Sequence, residues 1–198
     1  SIGGGETFSS EAEGEALRNG TKVDSKYSLG DHSFYSVGFG KQINDWRIEF
    51  NYSATTLSAD KVTATVAGTE FIASITPKHE TDAKTYMLYG FKDFSNESKF
   101  TPYVGLGLGA ASLDTNDVTI GFNGTDLSVD VEGTSSTIFT YALKAGADYK
   151  INENTSLFTE TIYQTFSEHS VSHASEGREH HASGNNYFGI SAGLRFKF

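Results

Sequence analysis

The sequence predicts an all-β fold, a transmembrane antiparallel up-and-down β-barrel of eight strands, and three observations support this prediction. The final segment alternates apolar with polar residues and stops on an aromatic residue. Seven earlier segments have the same period of two, which gives a strand one apolar face. The connections between segments alternate between long and short, as they do in barrels that cross an outer membrane.

The final segment, 187–198, has the clearest pattern. Its apolar face consists of Phe188, Ile190, Ala192, Leu194, Phe196 and Phe198. Its other face consists of Tyr187, Gly189, Ser191, Gly193, Arg195 and Lys197. We expect the apolar face to contact lipid and the other face to line the lumen. The alternative is a soluble lipocalin-like barrel, which would bury the apolar face inside.

Seven more strands complete the predicted barrel, near 1–10, 33–41, 46–55, 85–93, 101–111, 137–150 and 156–166. Long loops are expected at 11–32, 56–84, 112–136 and 167–186, and short turns at 42–45, 94–100 and 151–155. Eight strands with both termini in the periplasm need this number of outer loops and inner turns. The whole chain, 1–198, is therefore predicted to be a single outer-membrane barrel domain.

Two of the long loops contain hairpin patterns. Val118–Phe122 and Asp126–Val131 flank Asn123-Gly124, a dipeptide that favours a type I′ turn. A similar pattern surrounds Gly68. These arms are too charged and too short to face lipid, so we expect them to extend the strands above the membrane. The alternative is that they cross the membrane in a barrel of ten or twelve strands.

Aromatic residues gather beside the short turns, as expected for a girdle at the membrane interface. The predicted girdle consists of Phe39, Trp46, Phe91, Phe100, Tyr149, Phe196 and Phe198. Segments 85–93 and 156–166 are less regular, because Leu88, Phe158 and Ile162 fall on the face assigned to the lumen.

Charged residues on the lumen face are the first candidate site. Alternation assigns inward Arg47, Glu49, Lys144, Asp148, Glu160, Arg195 and Lys197. An eight-strand barrel is only just wide enough for its own side chains, and an unpaired charge in so confined a site is costly. We therefore expect an ion-pair network that plugs the barrel, helped by small residues such as Gly105, Gly107 and Gly109. The alternative is a selective pore or gate whose ion pairs exchange partners.

A histidine-rich loop is the second candidate. Within 168–181 lie His169, His173, His180 and His181, and imidazoles are competent Zn²⁺ or Cu²⁺ ligands. A polar loop rarely fixes ligand geometry, so we expect no metal and no other cofactor. An effect of pH on the charge of the loop is the alternative.

Four segments resemble a known family. They are YGFKDF (89–94), TPYVGLGLGAA (101–111), YALKAGADYKINENTSLF (141–158) and ISAGLRFKF (190–198). They resemble the opacity-type and surface-antigen families of small bacterial outer-membrane β-barrels, which share an architecture with OmpA- and OmpX-like barrels. The resemblance covers the barrel strands. It implies an adhesin, another surface protein or a minor porin, with function held in the variable loops.

Composition and ends narrow the function. The net charge of −10 argues against a nucleic-acid partner, which requires clustered cations. The sequence starts at Ser1 without a signal-like stretch, so we expect a signal peptide to have been removed on export to the outer membrane.

Three functions remain. The first is a non-enzymatic surface protein whose loops at 11–32, 56–84, 112–136 and 167–186 contact a host or cell-surface ligand, while the barrel contacts lipid and lipopolysaccharide. The second is a narrow porin or small-molecule channel. The third is a lipid A-modifying enzyme, suggested by His173-Ala-Ser175 and His181-Ala-Ser183. We expect no enzyme, because the last strand offers no carboxylate to orient a base.

Overall fold

β-Strands account for most of the residues that this computed structural model describes, which are 1–8, 12–18, 21–27, 32–66, 69–122, 128–131, 133–167, 169–173, 178–182 and 186–198. Side-chain surroundings are described for 1–8, 32–58, 63, 77–78, 80–119, 133–167 and 186–198. The strands are β1 (Ile2–Phe8), β2 (Ala12–Arg18), β3 (Thr21–Tyr27), β4 (His32–Ile43), β5 (Trp46–Val66), β6 (Thr69–Asp93), β7 (Phe100–Thr115), β8 (Val118–Phe122), β9 (Ser128–Val131), β10 (Ser135–Lys150), β11 (Thr155–Phe166), β12 (His169–His173), β13 (Arg178–Ala182) and β14 (Asn186–Phe196). This part of the chain contains no helix that is long and apolar enough to cross a membrane.

Eight strands form a closed ring in which every pair is antiparallel. Their order around the ring is β1, β4, β5, β6, β7, β10, β11 and β14. The first and last strands close it, with Ile2 opposite Leu194 and Phe8 opposite Phe188. A closed ring leaves no free strand edge. The predicted eight-strand barrel is therefore confirmed, and the alternative of ten or twelve strands is wrong.

Within the described residues, three hairpins lie outside the ring and extend the sheet on the long-loop side: β2–β3, β8–β9 and β12–β13. β3 pairs with the far end of β5, β8 pairs with β6, and β13 pairs with β2. The result is a second run of strands beyond the ring, in the order β12-β13-β2-β3-β5-β6-β8-β9, which we call the collar. The hairpin around Asn123-Gly124 and the arm around Gly68 were predicted, whereas β2–β3 and β12–β13 were not.

The apolar stripe of the strands faces outward, which excludes the soluble alternative. Leu106 is 67% exposed and Phe39 is 71% exposed, although both are large apolar residues. Leu88 is exposed as well, so its assignment to the lumen was wrong. Phe158 and Ile162 are buried in the lumen, as alternation placed them.

The alternation within β6 is the reverse of the predicted one. Met87, Tyr89 and Phe91 point inward and are almost completely buried. The assignment of Phe91 to the interfacial girdle was therefore wrong. The physical reason lies on the neighbouring strand, where glycines leave room for large inward side chains.

The glycines of β7 hold the aromatic rings of β6. Gly105 is the pairing partner of Phe91, and Gly107 is the partner of Tyr89. A Cβ atom at either glycine would overlap the ring of its partner. The two rings stack on each other with centroids 5.4 Å apart, and Phe91 meets Tyr103 edge to face at 5.6 Å. Aromatic side chains thus cover bare glycine backbone and fill a narrow lumen.

We expect Gly107→Val to destabilise the barrel by about 1–3 kcal/mol, because its side chain overpacks the Tyr89 ring. The matched control is Gly90→Val, since a Cβ at Gly90 meets no atom within 4 Å. The free energy of unfolding of both variants is measured by urea unfolding in lipid vesicles, followed by the fluorescence of the single tryptophan. Equal stability of the two variants would contradict the packing of ring on glycine.

Candidate functional site: the barrel lumen

The structure buries most of the charged residues that alternation assigned to the lumen. Arg47, Glu49, Lys144, Glu160 and Arg195 are all buried, and the side chain of Asp148 is 14% exposed. The carboxylate of Glu49 accepts a hydrogen bond from Ser1 Oγ at 3.1 Å.

Lys197 does not belong to this group, and its assignment to the lumen was wrong. It is exposed, and it follows the end of β14 at Phe196. Its backbone pairs instead with Asn154 in a short turn, through hydrogen bonds of 2.8 and 3.1 Å. Strand alternation no longer predicts side-chain direction once the strand has ended.

The Glu160 cluster is a fully buried ion pair with hydrogen-bond support. Lys144 Nζ donates to Glu160 Oε1 at 2.7 Å. The hydroxyl groups of Tyr103 and Ser191 donate to the same carboxylate at 2.9 and 3.3 Å. Several partners on one carboxylate offset the cost of removing two charges from water.

The Asp148 cluster lies nearer the short turns and shares one carboxylate between two arginines. Arg195 donates to both oxygens of Asp148, and Arg47 Nη1 lies 3.7 Å from Asp148 Oδ2. Arg47 also approaches Asp93, with Nη2 and Oδ1 3.5 Å apart. Gln42 donates to the other oxygen of Asp93 at 3.0 Å, which joins the cluster to the end of β4. Alternation missed Asp93 because the pattern of β6 was reversed.

The two clusters differ in how completely they are hydrogen-bonded. In the Asp148 cluster, Arg47 Nε and Nη2, Arg195 Nε and Asp93 Oδ1 are buried without a hydrogen-bond partner among the described residues. Buried polar atoms without partners carry a free-energy cost, so alternative pairings would be less costly here than around Glu160. The Asp148 cluster is therefore the part of the lumen best suited to rearrange.

Aromatic rings separate and cover the buried cations. The guanidinium carbon of Arg47 lies 4.2 Å from the centroid of Phe91 and 5.0 Å from that of Tyr103. Arg195 lies 5.2 Å from Tyr103, and Lys144 lies 4.6 Å from Tyr89. Cation–π contacts of this kind strengthen when they are desolvated. Sequence reasoning missed these aromatics, although the glycines opposite them signalled space for large rings.

A neutral layer lies on the loop side of the charged clusters. Gln164 Nε2 donates to Thr140 Oγ1 at 2.8 Å, and the Tyr187 hydroxyl donates to Gln164 Oε1 at 2.6 Å. Thr140 in turn donates to the carbonyl of Thr165 at 2.9 Å. The membrane-level lumen therefore holds ion pairs, stacked rings and neutral hydrogen bonds in succession.

Two other predicted groups lie outside the lumen. The girdle residues other than Phe91 are on the outer surface: Phe39, Trp46, Phe100, Tyr149, Phe196 and Phe198. The backbones of His169, His173, His180 and His181 lie in the β12–β13 hairpin, but their side chains are outside the described set. Where side chains are described, no group of three or more potential metal ligands occurs.

A closed ring of eight strands with an apolar exterior and a filled polar lumen defines a small outer-membrane β-barrel. Two of the solved structures with this fold are those of OprG and Neisserial surface protein A. OprG from Pseudomonas aeruginosa aligns over 100% of this chain and 94% of its own, with 14% identity and a TM-score of 0.59. Neisserial surface protein A aligns over 100% of this chain and 96% of its own, with 17% identity and a TM-score of 0.50.

The model of the Opacity family porin protein matches residues 39–198, so the chain belongs to the Opacity family. The protein is thus located in the bacterial outer membrane. A relative, the outer membrane protein PagN of Salmonella typhimurium (strain LT2), is 32% identical over 82 residues. That match covers 40% of this chain and spans 33% of the length of PagN.

We expect Lys144→Met to destabilise the barrel by about 3–5 kcal/mol, because it leaves the Glu160 carboxylate buried and unpaired. The matched control is Lys84→Met, which breaks a largely exposed pair with Asp114 at 3.8 Å and should cost at most about 1 kcal/mol. The stabilities of the two variants are compared through their unfolding midpoints in urea. Similar losses would show that the lumen pair does not hold the barrel together.

Proposed function

We propose that this protein is a non-enzymatic surface protein of the outer membrane, whose long loops bind a host or cell-surface ligand. In this proposal the barrel is a closed anchor and the lumen network is a plug. The observation that supports it best is the packing of the lumen, where buried ion pairs and stacked rings occupy the membrane level.

Opening the plug would be costly. A water column through the ring would have to displace Tyr103, which contacts Glu160 through its hydroxyl and both arginines through its ring. Moving Tyr103 would weaken both clusters together. The eight-strand ring is too narrow to open a path beside these side chains without moving them.

The collar supports the binding function. All three hairpins outside the ring lie on the long-loop side and pair with a barrel strand or with each other. Pairing of loop backbone into a sheet positions loop side chains, which is what recognition of a macromolecule requires. The acidic chain, with a net charge of −10, favours a cationic or neutral partner over a nucleic acid. Outer-membrane lipid and lipopolysaccharide are the partners proposed for the barrel exterior.

A narrow porin is the second candidate, and one observation favours it. The incompletely hydrogen-bonded Asp148 cluster would allow Arg47 and Arg195 to exchange carboxylate partners. Such an exchange is the minimal requirement for a gate. We propose no enzymatic activity because β14, the strand that follows the two His-Ala-Ser motifs, contains no Asp or Glu that could orient a histidine as a base.

The lumen proposal predicts that the wild-type barrel is silent in planar lipid bilayers. Arg195→Ala should produce brief conducting events, because it removes the main partner of Asp148 and leaves space beside Tyr103. Single-channel recording measures both proteins, with Lys84→Met as the control outside the lumen. Steady wild-type conductance would contradict the plug and support the porin.

The loop proposal predicts that replacing 167–185 with a short turn leaves the barrel folded but abolishes adhesion. Folding is checked by the heat-dependent migration of the barrel on gels. Adhesion is measured by counting the bacteria that carry each variant on their surface and attach to cultured epithelial cells. A second variant replaces 118–131, which removes β8–β9 at the other end of the collar. Undiminished adhesion after both replacements would contradict a binding role for these loops.

A further inference from the structure

The outer surface of the barrel carries a groove that the plug and the loops do not explain. It has a volume of about 530 Å³, within the range of ligand sites. Most of its lining comes from outward positions on β5, β6, β7, β10, β11 and β14. Because the groove crosses strands instead of following one, its shape depends on the register of the sheet.

One wall of the groove is a row of cross-strand partners. Leu106 pairs with Leu143, Leu143 with Tyr163, and Tyr163 with Phe188. The parallel row beside it is smaller, with Val104 opposite Ala145 and Ala145 opposite Thr161. Large side chains therefore stand along one side of a floor of small ones.

Gly90 leaves the groove open at the end nearer the short turns, which we call its lower end. It is the partner of Leu106, yet a Cβ at Gly90 would meet no atom within 4 Å. This end lies near the short turns, because β6 ends at Asp93. The opposite end lies near Phe188, close to the loop-side start of β14. The groove therefore runs obliquely across the lipid-facing band, from the short-turn side toward the loop side. This direction follows because the strands are tilted and the rows of cross-strand partners lie perpendicular to them.

A pair of opposite charges stands at the lower end. Lys92, which lines the groove, lies with its Nζ 3.1 Å from Asp45 Oδ2 and 5.4 Å from the centroid of Trp46. The side chains are 33% and 48% exposed for Lys92 and Asp45, so both charges remain available to a ligand. A hydrogen bond from Ser95, followed by the contact with Lys92, lowers the pKa of Asp45, which keeps its carboxylate ionised.

We propose that the groove binds one acyl chain of a zwitterionic glycerophospholipid whose headgroup ends in a primary ammonium, of the phosphatidylethanolamine type. The acyl chain lies over Gly90 and along the row from Leu106 to Phe188. The phosphate contacts Lys92, and the ammonium donates a hydrogen bond to Asp45. An anionic headgroup would leave Asp45 repelled, and a quaternary ammonium would have no N–H to donate.

Native mass spectrometry of the refolded full chain tests this proposal, with phosphatidylethanolamine, phosphatidylcholine and phosphatidylglycerol of identical acyl chains as probes. We expect phosphatidylethanolamine to bind about tenfold more tightly than the other two, the factor given by one hydrogen bond between charged groups. Gly90→Leu should abolish this preference and most of the binding, because its side chain fills the open end of the groove. Equal binding of the three lipids to the wild type would overturn the proposal.

Two further sets of variants separate the groove from general lipid contact. Ala192→Leu adds apolar bulk at an exposed position of β14 outside the groove lining, and it should bind like the wild type. Lys92→Gln and Asp45→Asn keep the groove but remove one headgroup contact each. In either variant the affinity for phosphatidylethanolamine should fall to the affinity that the wild type has for phosphatidylcholine. Wild-type binding by Gly90→Leu, or the same loss in Ala192→Leu, would refute the site. Neither outcome bears on the plug or the loops.

Discussion

Closure of the backbone hydrogen-bond ladder is the constraint from which the rest of this structure follows. Inside a bilayer each backbone N–H and C=O must find a partner within the protein, and a closed ring of strands achieves this. Here the last link is the pairing of β1 with β14. Once the ring closes with eight strands, its diameter is fixed, and so is the space left for inward side chains.

That fixed space explains the composition of the lumen. Rings from β6 are accommodated because β7 presents glycine at the partner positions, and the cations in turn lie against those rings. Charge pairs, rings and glycines are therefore one packing solution. It also gives the barrel a polarity, with charges toward the short turns and neutral hydrogen bonds toward the loops. Because this packing lies at the membrane level and does not involve the long loops, a change in a loop leaves it intact.

The sequence predicted the ring well because alternation in segments such as 187–198 is a local property of a strand with one face in lipid. It failed in β6, where both faces are apolar: Leu88 and Tyr86 on one side, and Met87, Tyr89 and Phe91 on the other. Local alternation cannot show which of two apolar faces points into the lumen. The glycines of the neighbouring strand β7 determine it, because they leave room for the large side chains of β6. Asp93 was missed for the same reason.

The hairpins β2–β3 and β12–β13 escaped prediction on different grounds. Their sequences, AEGEALR and HSVSH among them, carry little β-propensity or apolar period of their own. Their pairing depends on β5 and on each other, which are distant in sequence. Long-range pairing of this kind leaves no signal within a short window of residues.

The collar differs from the ring below it in one topological respect. In the described sheet, β9 and β12 are its two ends, so the collar is a strip and the barrel beneath is a hoop. A strip can gain, lose or exchange a hairpin at either end without altering any register in the hoop. The hairpins of the collar can therefore change while the barrel beneath keeps its geometry.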